Sequence, residues 1–323
     1  MQTQKPSVSL IRATSYEVEA LRESLETLLE PLGGITAFVK SGDRVLLKPN
    51  LLTGSRPTAE CTTRPELVYA VATMVIEAGG KPFLGDSPAF GSAKGVALAN
   101  GYETILEELN LPVIEFHGKR YEIINDKFNH LLLSKETMEA DVVINLPKVK
   151  SHAQLVLTLG VKNLFGCVPG KMKAWWHMEA GKDASRFAEM LVETAKAINP
   201  NLTIIDVILG HEGNGLSCVV PRALGILGSS TDVFALDRAI VEILNVPPEQ
   251  VPTLATSMRL GICPELDAIE FVSLHPDLLQ IDDWQLPSKY MPIDFGMPRV
   301  IKSTFKHLYI RFIKEKMTAY SGN

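Results

Sequence analysis

Residues 43–88 read DRVLLKPNLLTGSRPTAECTTRPELVYAVATMVIEAGGKPFLGDSP, and this stretch sets the fold class. The apolar run 45–47 breaks at Lys48-Pro49-Asn50, the pattern of a buried strand entering a polar loop. The next segment is a well-signalled helix. Thr62 or Thr63 is placed to cap it, Pro65 suits its first turn, and Gly79-Gly80 end it. A second short strand follows and opens into Gly85-Asp86-Ser87-Pro88. Strand, helix and strand in this order make a βαβ unit, which implies parallel pairing with a right-handed crossover.

The same alternation continues outward. Residues 102–109 pattern as a helix, LPVIEF as a strand, YEIIND with NHLLLS as a hairpin, and KETMEA as a short helix. DVVINLP is the most strand-like run in the chain. AQLVLTLG, just after it, reads as a buried helix broken at Gly160. Further on, DASRFAEMLVETAKAIN is an amphipathic helix with Asp183 or Ser185 at its start, LTIIDVIL is a buried strand, and CVVP and ALGILGSS are further strands. TDVFALDRAIVEIL is a helix capped by Thr231 or Asp232, and the segment from 246 to 261 holds one more. The expected architecture is α/β, a mostly parallel sheet flanked by helices. Residues 1–299 form one integrated body, with two lobes as the alternative. Residues 300–323 form a C-terminal basic amphipathic helix, with Ile301, Phe305, Leu308, Tyr309, Phe312 and Ile313 at helical spacing among Lys302, Lys306, Arg311, Lys314 and Lys316.

The 323 residues are 46% hydrophobic and 21% charged, enough apolar content for a sizeable core. A net charge of −5 argues against a nucleic-acid binder, because phosphate neutralisation needs an excess of Lys and Arg. The N-terminus has no signal-peptide pattern, and no run approaches the roughly 18 apolar residues of a membrane span. The expected location is cytoplasmic, with the C-terminal helix docked on the body or available for a peripheral membrane or protein contact. Cys61, Cys167, Cys218 and Cys263 are scattered without a CxxC pair, so no ferredoxin-type iron–sulfur motif is written here.

Ligands of open α/β sheets bind beyond the carboxyl ends of the strands. Three polar loops occupy such positions and supply Lys48 and Asn50, Asp86 and Ser87, and Lys148, Lys150 and His152. Ordinary turn chemistry accounts for such residues as well. Between residues 147 and 182 stand six lysines (148, 150, 162, 171, 173 and 182) against one carboxylate, Glu179, a local excess suited to a small anion. Trp175, Trp176 and His177 lie in the same Gly-rich stretch, as a lid or as a hydrophobic plug. GHEGNG, residues 210–215, adds Glu212 and Asn214 as candidate ligand contacts. His152 is the natural proton-transfer group, and Lys162, if desolvated, is a nucleophile or covalent anchor. Nucleotide, P-loop, nucleophile-elbow and zinc-helix signatures are absent.

VLLKPNLL, TTRPELVYAV, EAGGKPFLGDSP, ADVVINLPKVKSHAQLVLTLGVKNLFG, IIDVILGHEGNG and GSSTDVFALD together resemble the domain-of-unknown-function 362 family across residues 45–237. Many members carry a ferredoxin module, whose cysteine run this chain lacks. The segment ADVVINLPKVKSHAQLVLTLGVKNLFGCVPG is also similar to the central part of the nickel-pincer lactate racemases. That resemblance implies His152 as acid/base, Lys162 as cofactor anchor and His177 as a metal ligand. Lys150-Ser151 and Val161 depart from the racemase pattern, which has an acidic residue with Pro and an Arg there. The functional expectation is an enzyme that binds a small anionic substrate or a metal-linked or Lys-anchored cofactor, with racemase-like or redox-like chemistry. The alternative is a non-catalytic accessory protein that meets a redox partner or membrane surface through its tail.

Overall fold

Residues 5–54, 61–123, 130–170, 173, 183–213, 220–291 and 309–310 are described by the computed structural model. The chain opens with strand β1 (Ser7–Arg12) and helix α1 (Val18–Leu29). The expected unit follows as β2 (Arg44–Pro49), α2 (Pro65–Glu77) and β3 (Lys81–Gly85). Helices α3 (Ala93–Ala99) and α4 (Glu103–Glu108) lead to β4 (Val113–Ile114). Strands β5 (Gly118–Glu122) and β6 (His130–Ser134) pair antiparallel in a sheet of their own. After α5 (Lys135–Met138) come β7 (Val142–Leu146), β8 (Lys148–His152), β9 (Val156–Thr158) and the short helix α6 (Gly160–Asn163). Then follow α7 (Ala184–Ile198), β10 (Leu202–Glu212), β11 (Val220–Ser230), α8 (Val233–Ile243), α9 (Pro252–Arg259) and β12 (Glu270–Phe271).

The main sheet runs β12-β1-β11-β10-β7-β2-β3-β4, with β8 and β9 continuing beside β10 where β7 ends. Pairing is mostly parallel; β1 with β11, β10 with β11 and β8 with β9 are antiparallel. The central strands are mostly apolar because both faces are covered, with the buried polar side chains of Lys48, Asn145 and Asp206 as exceptions. In β2, Leu46 enters one core while Val45 and Leu47 enter the other. Helices α7 and α8 close the first core with Phe187, Leu191, Leu236 and Ile240. Helices α1 and α2 close the second with Leu21, Leu25, Leu67 and Val71.

Two expectations are corrected. AQLVLTL is a turn followed by β9, which pairs back on β8, and the helix begins only at Gly160. Residues 155–159 are all buried, so neither a period of 2 nor one of 3.6 shows in this run. Neither Thr62 nor Thr63 caps α2, whose N-cap Arg64 makes no side-chain capping bond. Thr63 Oγ1 instead donates to Leu146 O (2.6 Å) and accepts from Asn50 N (2.8 Å), joining the ends of β7 and β2. Asp183 and Asp232 do cap α7 and α8. The helix expected from residue 300 lies outside the described residues, apart from Tyr309 and Ile310.

The bend from β7 into β8 is held by a buried ion pair. Lys148 Nζ lies 2.9 Å from Asp206 Oδ2, and both side chains are fully buried. Tyr16 completes the arrangement, donating to Asp206 Oδ1 (2.7 Å) and accepting from Lys148 Nζ (2.8 Å). Replacing Asp206 by Ala strands a buried ammonium, and unfolding in denaturant should show a loss of about 3–5 kcal/mol. The double replacement Lys148→Met with Asp206→Leu should recover most of that loss. A single replacement that costs less than about 1 kcal/mol would show that the pair does not hold the bend.

Candidate anion site

The carboxyl ends of β2, β3 and β8 converge as the strand order requires, and each brings polar side chains. Lys48, fully buried, donates to Pro49 O (2.7 Å) and pairs with Asp86 Oδ1 at 3.0 Å. Asp86 is itself fixed by the Leu51 and Ser87 N–H groups at 2.9 and 2.8 Å. Gly166 packs its Cα directly on this pair: a Cβ there would collide with both Asp86 Oδ1 and Lys48 Nζ. Ser87 is tied to the same segment, donating its N–H to Gly166 O (3.0 Å) and accepting from Gly170 N at its Oγ (2.9 Å).

A chain of buried amides links these loops. Lys150 Nζ donates to Asn50 Oδ1 (2.8 Å) and Cys61 O (2.7 Å). Asn50 Nδ2 donates to Asn163 Oδ1 (2.9 Å), and Asn163 Nδ2 donates to Asn145 Oδ1 (2.8 Å) and Lys48 O (3.2 Å). Asn145 reaches Gly160 O at 3.2 Å. Helix α6 is thereby locked to β2, β7 and β8. Its first amides, Gly160 N and Val161 N, bind the buried carboxylate of Asp237 on α8 at 2.7 and 3.0 Å. Burial pushes Asp237 up to about 7, while those two N–H bonds pull the other way.

Lys162 leaves α6 half-buried, its ammonium 5.1 Å from the Phe165 ring centroid. Among the described residues it has neither an ion pair nor a hydrogen bond. Lys173 lies 5.7 Å from the same ring and donates to Ser87 O. Burial, reinforced by Lys173, Lys150 and Lys48, lowers Lys162 to about 7, against the pull of Asp86. Burial is also the leading cause that lowers Lys150 and Lys173 to about 8. Five lysines thus share this end of the sheet. Among the described residues, the carboxylates of Asp86 and Asp206 are committed to Lys48 and Lys148. Lys150, Lys162 and Lys173 have no carboxylate partner among the described residues.

Of the residues singled out from sequence, Lys48, Asn50, Asp86, Ser87 and Lys150 meet directly, and Lys162 stands within electrostatic reach of Lys150. Lys148 is drawn into the ion pair with Asp206. His152 ends β8 half-buried, its Nδ1 accepting from Gln154 N and Leu155 N, each at 3.2 Å. Glu212 is taken up by Arg222 at 3.1 Å and by Gln285 N at 3.1 Å. Asn214 and His177 lie outside the described residues. Among the described residues no group of three or more His, Cys, Asp or Glu side chains is placed to hold a metal ion. Cys61, Cys167 and Cys263 are free and buried; Cys218 lies outside the described residues. Sequence reasoning passed over Asn163, Gly166 and Asp237, all within the quoted stretches, because their roles depend on partners far along the chain. His211, which stands with Glu212 and Asn214 in the GHEGNG motif, is a buried imidazole opposite Lys150, a pairing that the sequence did not disclose.

The profile of a family described as a domain of unknown function (DUF362) matches residues 45–242. A protein named thylakoid-associated protein sll1697, from Synechocystis sp. (strain ATCC 27184 / PCC 6803 / Kazusa), is 64% identical over 316 residues, covering 98% of each chain. Among solved structures, the lactate racemase apoprotein from Thermoanaerobacterium thermosaccharolyticum aligns with a TM-score of 0.45 at 12% identity. That alignment covers 71% of this chain and 55% of the racemase.

Gly166→Ala should separate Lys48 from Asp86. The expected cost is about 3 kcal/mol, combining overpacking with a disturbed buried ion pair. A denaturation midpoint unchanged within about 0.5 kcal/mol would mean that the pair tolerates displacement.

Proposed function

The chain belongs to the DUF362 family, and on that premise we propose that it is an enzyme acting on a small anion held at the lysine cluster. One observation carries this reading: three lysines that have no carboxylate partner among the described residues converge at the carboxyl end of a mostly parallel sheet. Uncompensated buried ammonium groups are costly, and an anionic ligand removes that cost. Lys150 and Lys173 serve as the cationic seat. Lys162, at about 7, is the amine with an appreciable neutral fraction near neutral pH, so it is the nucleophile or covalent anchor. His152, two residues beyond Lys150 on β8, is the proton carrier. A free amine fits an anchored cofactor, whereas the described residues offer no metal-ligand group beside it.

A second reading concerns location. The relative named as thylakoid-associated is 64% identical along nearly the whole chain. Among the described residues no helix is long and apolar enough to cross a membrane. We infer peripheral association with a membrane surface, with the basic segment 300–323 as the contact. Deleting residues 300–323 and measuring sedimentation with anionic vesicles tests it; undiminished sedimentation would exclude the tail as the contact.

The lowered lysine values fix the sign of the pH dependence. In the empty fold the protonated amines are disfavoured, a cost fully present below about pH 7 and relieved as pH rises toward 10.5. Anion binding needs the protonated amines and has the opposite sign. Calorimetry with small carboxylates, sulfate and phosphate should show affinity rising as pH falls from about 9 to about 6.5, with proton uptake on binding. Lys150→Met and Lys173→Met should each weaken binding about tenfold, the size of one charge-assisted bond. Affinity that ignores both pH and these replacements would overturn the proposal. An adduct on the Lys162 peptide of protein isolated from its own host would identify the amine as an anchor, and an unmodified, metal-free protein would sink that role.

A further inference from the structure

A row of polar side chains crosses three adjacent strands beside the lysine cluster. His211 on β10 is the register partner of Lys150 on β8, and Lys150 is opposite Thr158 on β9. Register partners project from the same face of a sheet, so the three side chains are neighbours. Their environment is unusual. His211 is 1% exposed, and among the described residues neither ring nitrogen has a hydrogen-bond partner. Thr158 is 2% exposed, and its Oγ1 is also without a partner among the described residues. Lys150 uses two of its three N–H donors, on Asn50 and Cys61.

Buried polar groups in folded proteins are nearly always satisfied, and each exception calls for an explanation. Two exceptions flanking one lysine, in register across three strands, form a pattern. Tertiary packing alone gives no reason to keep an imidazole and a hydroxyl there, since Leu and Val would fill the same space without unpaired groups. The row lines up three donors of different kinds: an imidazole N–H, an ammonium N–H and a hydroxyl. Lys162 and Lys173 add charge nearby, and neither has an ion-paired carboxylate among the described residues. Several converging donors backed by more than one positive charge match a tetrahedral, multiply charged oxyanion better than a monovalent carboxylate.

We propose that His211, Lys150 and Thr158 form the seat of a phosphate-type oxyanion, the charged group of a small phosphate-bearing ligand. This rests on the anion-site reading above and narrows it to a ligand class and a set of contacts. His211 and Thr158 are ligand-contacting residues that decide which anion is accepted. The lysines attract any small anion, while the two neutral donors reward oxygens arranged in three dimensions.

Thr158→Val keeps the shape and removes an unpartnered hydroxyl, so the empty variant should melt at or above the wild-type temperature. His211→Gln keeps a donor and an acceptor of reduced size and guards against loss of fold. Calorimetry with inorganic phosphate on the full chain at pH 7 should show at least tenfold weaker binding for both variants. Acetate should bind wild type and variants alike, and weakly. In imidazole carbon–proton spectra, phosphate should move the His211 resonances and raise their titration midpoint. Phosphate bound equally by wild type, Thr158→Val and His211→Gln, yet weakened by Lys173→Met, would overturn this seat while leaving the lysine site standing. Failure of every anion to bind would remove both. Capture by phosphatidylglycerol vesicles without binding of soluble phosphate would also overturn it, since a lipid headgroup would then be the source of the phosphate.

Discussion

Two buried ion pairs govern the carboxyl end of this sheet. Lys48–Asp86 and Lys148–Asp206 are each closer than 3.1 Å, and all four side chains are almost wholly removed from solvent. Pairs of this kind add little net stability, because desolvation consumes most of the attraction, but breaking one is expensive. Their value lies in geometry. Lys48–Asp86 fixes the exit of β2 against that of β3, and Lys148–Asp206 fixes the bend where β7 hands over to β8. Both carboxylates are thereby committed. The three lysines around them have no carboxylate partner among the described residues, and this arrangement, not the overall charge of −5, sets the local field.

The supporting structure is built to keep that field fixed. The Asn50, Asn163 and Asn145 amides satisfy one another and the backbone without adding charge. A neutral network can lie close to ammonium groups without neutralising them, which a ring of Asp and Glu could not do. Gly166 permits the segment bearing Phe165 to lie on the Lys48–Asp86 pair, which sets the ring near the Lys162 and Lys173 ammonium groups. Asp237 spends both oxygens on the first amides of α6 and so orients the helix that carries Lys162.

Legibility followed sequence distance. The βαβ unit was readable because its strands, helix and turn residues carry their signals locally. The convergence of Lys48, Asp86 and Lys150 was readable in outline, because strand ends collect at one edge of a parallel sheet. What was hidden depends on register. Lys148 and Lys150 look alike in PKVKSH, yet one faces Asp206 and the other Asn50, a difference set by a bulge between Asp206 and His211. AQLVLTL concealed its strand because all of its neighbours bury it. Thr63 looked like a helix cap because the oxygen suited to capping served two other strands. His211 stood in a glycine-rich motif where Glu212 drew attention, and only the pairing with β8 shows what it faces.

The near-neutral values of the cluster also divide its labour. An amine cannot hold an anion as a cation and attack as a nucleophile at the same moment. Lys150 and Lys173, at about 8, stay largely protonated near neutral pH, and both have backbone or amide oxygens that favour the ammonium form. Lys162, at about 7, has no such acceptor among the described residues. Binding an anion raises the pKa of every lysine it touches, by the same linkage that makes protonation strengthen binding. The lysine that remains reactive in the occupied site must therefore lie beside the anion's reacting atom and away from its charged end. An oxyanion seated across β10, β8 and β9 satisfies this condition: it draws its charge-assisted bond from Lys150 and leaves the Lys162 amine for the rest of the ligand.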